Sequence, residues 1–350
     1  MKQLSIIIPM YNVEPYVERC LRSLENQDIP KNDYEIICIN DGSPDNCRTV
    51  VEGLQDEYNN IILINQENQG VSKARNNGIE IASGKYIMFV DPDDYVITNT
   101  TNPLITNALH LNAQVAFLGY TYLHLDGSVH KTILNKDHEG RLYSGIEAYY
   151  INRIDGDTDP DRMVAVLLET SFLKKYNLRY LSDVPYLEDG EFIARILCLA
   201  ERCIFIGSPF YQRTTRLGSA TNSSLFRTEK ASCGFFLGLC NLKQFQHSQK
   251  LSEKQKSFMN QPICKFLLLT LHKVENKPFR VNYKETRKKL IKYGFKTLDL
   301  QGVVKPYIYY AYIYNTLPVF FYLNALLKEL KGIIKKWLTV SDKKHFISRY

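Results

Sequence analysis

The chain has 350 residues, 45% hydrophobic and 23% charged, a balance that excludes an intrinsically disordered protein and supplies core for about two domains of roughly 150 residues each. Its formal charge of +7 is unevenly spread: residues 251–350 hold 20 Lys and Arg against 6 Asp and Glu, which leaves 24 against 31 for residues 1–250. Such a split points to an acidic body able to hold a cation and a basic tail that seeks something anionic.

The first ninety residues alternate strand and helix signals. Leu4 to Ile8 is a β-branched strand run that stops at Pro9, and it follows Met1-Lys2-Gln3 so closely that no secretory leader is expected. Pro15 stands where a first helical position would be and opens a helix to about Gln27, with Val17, Cys20, Leu21 and Leu24 on one face. Tyr34 to Asn40 is the next buried strand, and Asp41-Gly-Ser-Pro-Asp45 is a turn that offers Ser43 or Asp45 as a helix cap. A helix to about Tyr58, a strand Ile61 to Gln66, a helix Ser72 to Ala82 and a strand Tyr86 to Val90 follow. Three strand–helix–strand crossovers require a mostly parallel sheet with helices on both faces.

Beyond Asp91-Pro-Asp-Asp94 the pattern changes. A helix Pro103 to Leu111 and a strand Gln114 to Tyr122 lead to a hairpin signal at Asp126-Gly127, so the sheet gains shorter, mixed strands. Residues 144–152, 161–175 and 188–200 read as helices, and Cys203 to Ile206 and Phe210 to Arg213 as short strands. From about residue 230 the reading is almost entirely helical. The expected division is 1–225 as one α/β domain, with halves 1–97 and 98–225, and 226–350 as a helical, basic extension.

In an open parallel sheet, ligands bind outside the carboxyl ends of the strands. The residues there are Pro9 to Asn12, Asp41-Gly42, Asn68 to Asn76 and Asp91 to Asp94, mostly carboxylates and amides. Neither G-x-G-x-x-G nor G-x-x-x-x-G-K-[ST] follows the first strand, which disfavours dinucleotide oxidoreductases and P-loop enzymes. A nucleotidyltransferase would need a Gly-rich, basic loop where this chain has Pro9-Met-Tyr-Asn12. Asp91 and Asp93 crowd negative charge into one turn, which suits Mg²⁺ or Mn²⁺ shared with a diphosphate, although by composition alone the turn also reads as an acidic Asp-Pro turn without a metal. The eight cysteines form no C-x-x-C pair and the seven histidines no i,i+4 pair, so a disulfide scaffold and a zinc site are not expected.

Four segments together, Ser5-Ile-Ile-Ile-Pro-Met-Tyr-Asn12, Asn40-Asp-Gly-Ser43, Asn68 to Gly78 and Gly84-Lys-Tyr-Ile-Met-Phe-Val-Asp-Pro-Asp-Asp94, resemble in order and spacing the family 2 glycosyltransferases of the GT-A fold, over roughly residues 3–225. Met10 departs from the small or β-branched residue usual after the strand proline. The resemblance implies a bacterial enzyme that moves a sugar from a nucleotide-diphosphate donor, a UDP-sugar by preference, to a hydroxyl of a glycan or lipid-linked acceptor with inversion, in cell-surface polysaccharide synthesis. It implies that Pro9 and Tyr11 wall the base and ribose, that Asp41 takes the imide N–H of the base, and that Arg75 reaches the nucleotide. Asp91 faces ribose or metal and Asp93 ligates the metal, while Asp94 supports the loop. Tyr186 to Phe192 resembles the family's Glu-Asp-x-x-Phe element, with Asp189 as base and Glu188 orienting it. Tyr211 to Ser219 resembles the segment that closes over the donor, offering Arg213, Arg216 and Ser219 to the diphosphate.

Residues 303–327 are apolar and rich in tyrosine but interrupted by Lys305, Asn315, Pro318 and Asn324, so they are not read as a membrane span. Leu326, Leu327, Leu330, Ile333, Ile334, Trp337 and Leu338 then share one helical face, with Lys328, Lys331, Lys335 and Lys336 off it. That spacing predicts a helix over 326–338 lying on an anionic membrane, with peripheral contact through 303–338, or else packed on the catalytic body or a partner chain; the first reading places the protein in the cytoplasm at the inner face of the cytoplasmic membrane. The interleaved apolar face fits lipid better than nucleic acid.

Overall fold

Four apolar runs become the parallel half of one sheet; three of them are buried on both faces, as parallel strands covered by helices are, and the fourth, at the sheet's end, is partly exposed. The computed structural model describes residues 2–323 apart from 125, 155–161, 183, 185, 215–226, 249, 272–273, 275–277, 319 and 321–322. Its elements begin with β1 (Leu4–Met10), α1 (Glu14–Glu25), β2 (Tyr34–Asp41), α2 (Cys47–Gln55), β3 (Ile61–Gln66), α3 (Val71–Ile81) and β4 (Tyr86–Phe89). The pairs β1–β2, β2–β3 and β1–β4 are parallel, giving the local order β3-β2-β1-β4.

Side chains on β1 alternate between two packed faces. Ile6, Ile8 and Met10 join Val17, Leu21 and Leu24 of α1 in one core. Ile7 points the other way, where α3 approaches so closely that a Cβ on Gly78 would lie 2.4 Å from its Cγ2. Beneath the sheet's lower edge, the buried Glu35 carboxylate accepts from Ser5 Oγ at 2.6 Å and from Ser83 N at 2.8 Å, and so ties β2 to the approach to β4.

The second half of the sheet is mixed, as its shorter, broken strand signals require. It comprises β5 (Tyr95–Val96), α4 (Thr101–His110), β6 (Val115–Leu123), β7 (Val129–Ile133), α5 (Gly145–Ile154), β8 (Val166–Glu169), α6 (Thr170–Lys175), α7 (Glu188–Leu199) and β9 (Cys203–Thr214). The order continues β4-β8-β6-β9-β5, with β7 on β6. Strand β8 is antiparallel to both β4 and β6, whereas β6 and β9 run parallel.

Two sequence expectations are corrected here. The stretch read as a helix over 161–175 contains β8 and only then the short α6. Met163 to Leu168 is a continuous apolar run whose periodicity cannot separate strand from helix, and the gap between β4 and β6 decides it. The two strands expected at 203–206 and 210–213 are one strand, β9, because Gly207-Ser-Pro209 is accommodated as a register shift opposite Gly119 rather than as a break.

The chain divides into two units, Met1–Ser223 and Ser224–Tyr350. The second contains α8 (Glu229–Ser248), α9 (Glu253–Thr270), α10 (Phe279–Lys292) and α11 (Tyr307–Thr316). Helix α9 starts at a capping box in which Ser252 and Gln255 exchange side-chain and backbone bonds. It packs on α8 where Gly238 leaves room for Phe266, whose ring would lie 2.6 Å from an added Cβ. The tail helix expected over 326–338 lies outside the described residues, and no helix among those described is long and apolar enough to cross a membrane.

Two glycines predict opposite outcomes. A Cβ on Gly84 would sit 2.5 Å from the Leu4 carbonyl carbon and the Ser5 nitrogen, backbone atoms that cannot yield, so Gly84→Ala is expected to destabilise by roughly 2–3 kcal/mol. Gly53, in α2, meets nothing within 4 Å, and Gly53→Ala should stabilise by about 0.5–1 kcal/mol. Denaturant unfolding of both variants checks the pair.

Candidate active site

The carboxyl edge of the parallel strands gathers most of the residues singled out from the sequence. At the end of β1, Pro9 is buried and Tyr11 is half exposed. The Asn12 N–H there donates to Ser43 Oγ at 2.7 Å, which couples the first strand turn to the second. Asp45 completes that turn: it accepts from Ser43 Oγ, from Glu14 N at the start of α1 and from Cys47 N at the start of α2. Its partial burial opposes ionisation, but these donors outweigh it and hold the carboxyl down at about 2.

Asp41 ends β2 with its carboxylate folded over the approach to α3. Its Oδ1 accepts from Gln66 Nε2 at 2.7 Å and Gln69 N at 2.8 Å, and Oδ2 accepts from Gly70 N at 2.8 Å. Gly70 stands at φ +86, a backbone region that a side chain would strain, and this turn aims both N–H groups at the carboxylate. A carboxylate oxygen has two acceptor positions, so Oδ2 keeps one for a further donor.

Arg75, one turn into α3, is buried among carboxylates. Its Nη1 donates to Asp189 Oδ1 at 2.9 Å and to Glu188 Oε1 at 3.0 Å, while Nη2 donates to Asp91 Oδ1 at 3.2 Å. The guanidinium also lies 5.2 Å from the centre of the Tyr180 ring. A role for Arg75 at the nucleotide therefore runs through these carboxylates, since the fork expected to reach the nucleotide is engaged by them.

Glu188 and Asp189 open the first turn of α7, directly after Leu187, which takes a left-handed conformation at φ 61. A branched side chain rarely adopts that geometry, and here it swings the first turn of α7 toward α3. Asp189 keeps 28% of its side chain exposed. Its carboxyl is pushed up to about 7, chiefly by burial and then by Glu188 and Asp91, against the pull of Arg75 and Tyr180.

The Asp91–Asp94 turn is fastened from the far side by β9. The Tyr211 hydroxyl donates to Asp94 Oδ2 at 2.7 Å and accepts from Asp91 N at 3.1 Å. Thr214 N donates to Asp94 Oδ1 at 2.7 Å, its hydroxyl donates to the Asp93 carbonyl, and Arg19 Nη2 donates to that carbonyl at 2.7 Å. Burial, reinforced by the charges of Asp91 and Asp93, pushes the Asp94 carboxyl up to about 8. Asp94 thus supports the loop, as its position in the sequence implies.

Among the described residues no group of three or more His, Cys, Asp or Glu is placed to hold a metal ion. Asp91 Oδ2 and the Asp93 carboxylate are hard oxygen donors on this turn. That set suits a small divalent cation whose other ligands come from a diphosphate and water, the usual arrangement for Mg²⁺. Arg213 lies on β9, where its Nη1 donates to Tyr122 Oη at 3.0 Å. Arg216 and Ser219 lie outside the described residues. The sequence reading missed Tyr180, which sits in an irregular stretch with no motif around it, and the hydrogen bonding of Tyr211 to the acidic turn.

A mixed sheet that opens with three parallel crossovers and carries an acidic turn after its fourth strand is the arrangement of the GT-A fold. Residues 5–158, within the first unit, match the family model Glycosyl transferase family 2. Glycosyltransferase GlyA of Streptococcus pneumoniae is 29% identical over 223 residues, 62% of this chain and 31% of GlyA. The uncharacterised glycosyltransferase EpsJ of Bacillus subtilis is 31% identical over 215 residues, 59% of each chain. The present chain thus spans about a third of GlyA and under two thirds of EpsJ. In fold it resembles the crystal structure of S. aureus TarS 1–349 in complex with UDP-GlcNAc, with a TM-score of 0.67 at 19% identity over 94% of this chain and 92% of that one.

Arg75→Met leaves three carboxylates facing one another without their shared cation. We expect a loss of about 3–5 kcal/mol in folding stability at pH 7.5. The deficit should shrink at pH 5, because protonation removes charges that Arg75 no longer compensates. Thermal unfolding at the two pH values checks both statements, and a variant as stable as the parent at pH 7.5 would refute them.

Proposed function

We propose that the first unit catalyses inverting transfer of a sugar from a nucleoside-diphosphate donor, a UDP-sugar by preference, to a hydroxyl of a glycan or lipid-linked acceptor in the synthesis of a cell-surface polysaccharide. The observation that carries the reading is Asp189, a partly open carboxylate raised to about 7 and joined through Arg75 to Asp91 on the donor side. Inversion is one in-line displacement. The acceptor oxygen forms a bond to the anomeric carbon as the bond from that carbon to the diphosphate oxygen breaks, and the hydroxyl proton passes to the Asp189 carboxylate.

Asp91 and Asp93 would hold the Mg²⁺ or Mn²⁺, whose part when bound is to neutralise charge on the departing diphosphate. Asp41 supports a uracil, thymine or guanine base. The acceptor position left on its Oδ2 matches the imide N–H of those bases, whereas cytosine presents only an acceptor there. The fold shared with a transferase bound to UDP-GlcNAc favours uracil among them.

The second unit supports a lipid-linked acceptor and work at the inner face of the cytoplasmic membrane. Tyr309, Tyr310 and Tyr312 of α11 are exposed, Lys305 stands over the Tyr309 ring, and Lys284, Lys288 and Lys292 are exposed at four-residue spacing on α10. Amphipathic aromatics beside lysines suit an anionic headgroup layer. Sedimentation with phosphatidylglycerol vesicles, and its absence with phosphatidylcholine vesicles, is the expected result. Equal behaviour with both would remove the membrane from the proposal.

Three measurements test the catalytic reading. In thermal unfolding with UDP, GDP, dTDP or CMP, each with Mn²⁺ or EDTA, UDP with Mn²⁺ is expected to stabilise most, by about 2.7 kcal/mol at a hundred times its Kd. Asp93→Ala should weaken that metal-dependent binding, whereas Asp189→Asn should leave it intact and lower kcat by roughly 10²–10⁴-fold. The base must be ionised to accept a proton, so kcat should rise with pH up to about 7 and level off above it. Transfer that survives in Asp189→Asn would dismiss Asp189 as the base.

A further inference from the structure

Tyr180 lies between α6 and α7, outside every sequence motif, and is held by contacts to α3, β4 and α7. It is 3% exposed. Its backbone N–H donates to Asn76 Oδ1 at 2.8 Å and its carbonyl accepts from Asn76 Nδ2 at 2.9 Å, so one side chain of α3 fixes both polar groups of the residue. The ring meets Phe89 of β4 edge-on, with centroids 5.5 Å apart, and lies 4.1 Å from the Phe192 ring of α7. These contacts leave the hydroxyl one direction. It donates to Asp189 Oδ1 at 3.2 Å, the same oxygen that takes Nη1 of Arg75.

We propose that Tyr180 is a positioning residue for the transfer step: its hydroxyl and Arg75 together clamp Oδ1 of Asp189, which fixes the rotation of the carboxylate and leaves Oδ2 as the oxygen that receives the acceptor's proton. No hydrogen-bond partner of Oδ2 lies among the described residues. The two donors approach Oδ1 from different elements, Arg75 from α3 and Tyr180 from the 176–187 segment, so the carboxylate cannot turn without losing one of them. A carboxylate that pivots presents its reactive oxygen to the acceptor for only part of the time, and misplacement by about 1 Å is enough to slow a positioned reaction substantially. Burial of the ring beneath Arg75 serves the same end, since the aromatic face supports the guanidinium in the plane from which its fork reaches Glu188, Asp189 and Asp91.

The assignment rests on Asp189 being the base, and the test separates the two ideas. Tyr180→Phe keeps the ring, the Asn76 bonds and the packing on Phe89 and Phe192, and removes only the donor. With rates counted per UDP-binding site, so that unfolded protein drops out, kcat is expected to fall roughly tenfold, in keeping with the loss of one hydrogen bond to a charged group. The UDP dissociation constant should stay within about twofold.

The acid limb of the kcat–pH profile should move to higher pH by about half a unit to one unit. The groups facing Asp189 are Arg75, Glu188, Asp91 and Tyr180. Of these only Tyr180 changes, and it favours the ionised form. A parental kcat and limb would overturn the proposal, as would a slower enzyme whose limb has not moved or whose UDP affinity has fallen, because those results mean a packing or donor-site role. Activity retained in Asp189→Asn would instead strike at the base itself, and the proposal would fall with it.

Discussion

One buried guanidinium organises this active site. Arg75 shares its two terminal nitrogens among Asp91, Glu188 and Asp189, which arrive from the end of β4 and from the start of α7. Without that cation the three carboxylates would repel one another. With it they still carry an excess of negative charge, which a buried site tolerates only where a further cation or proton is available. The surplus on the donor side is the physical reason for expecting a divalent ion beside Asp91. On the other side burial, reinforced by Glu188 and Asp91, raises the Asp189 carboxyl to about 7, where the base of the proposed mechanism would work at cellular pH.

Opposed to this cation is a neutral fastening. The Tyr211 hydroxyl bridges the Asp91 N–H and the Asp94 carboxylate, and Thr214 adds a backbone donor to the same carboxylate. The acidic turn is therefore gripped from α3 by charge and from β9 by hydrogen bonds. Residues about 120 positions apart in the chain set its shape. Asp94 is the member of the turn that makes this possible, since it is buried and bound by both Tyr211 and Thr214.

What was legible in the sequence follows from how local each signal is. The strand ends, the Asp41 turn and the acidic turn are runs of adjacent residues, and the crossover rule places them on one edge with no knowledge of long-range contacts. The pairing of Arg75 with Asp189 spans 114 residues, and nothing in either segment announces it, so the family resemblance alone assigns Arg75 to the nucleotide. Tyr180 is less legible still, because its position is fixed by Asn76, Phe89 and Phe192, none of them a neighbour in sequence. The same limit explains β8. Met163 to Leu168 has no period to distinguish strand from helix, and only the space between β4 and β6 selects the strand. A long β9 was hidden for the converse reason, since Gly207-Ser-Pro209 has the composition of a turn while Gly119 gives it room as a bulge.

Asp91 and Asp189 turn out to be held by the same device. In each, Oδ1 is bound to Arg75, and in the proposed mechanism Oδ2 is the oxygen that acts, toward a cation in one case and toward a proton in the other. Tying one oxygen fixes the rotation of the group at the cost of part of its charge, and it converts a symmetric carboxylate into one with a defined working face. The difference between the two lies in the second donor. Asp91 is anchored through its own N–H by Tyr211, which constrains the backbone and leaves the carboxylate's affinity for a cation untouched. Asp189 receives the Tyr180 hydroxyl directly on Oδ1, which tempers its affinity for a proton as well as its rotation. A metal ligand needs a steady position and full charge, and a general base needs a steady position and a tuned charge. The two tyrosines, one under each aspartate, supply those different requirements from a single arginine outward.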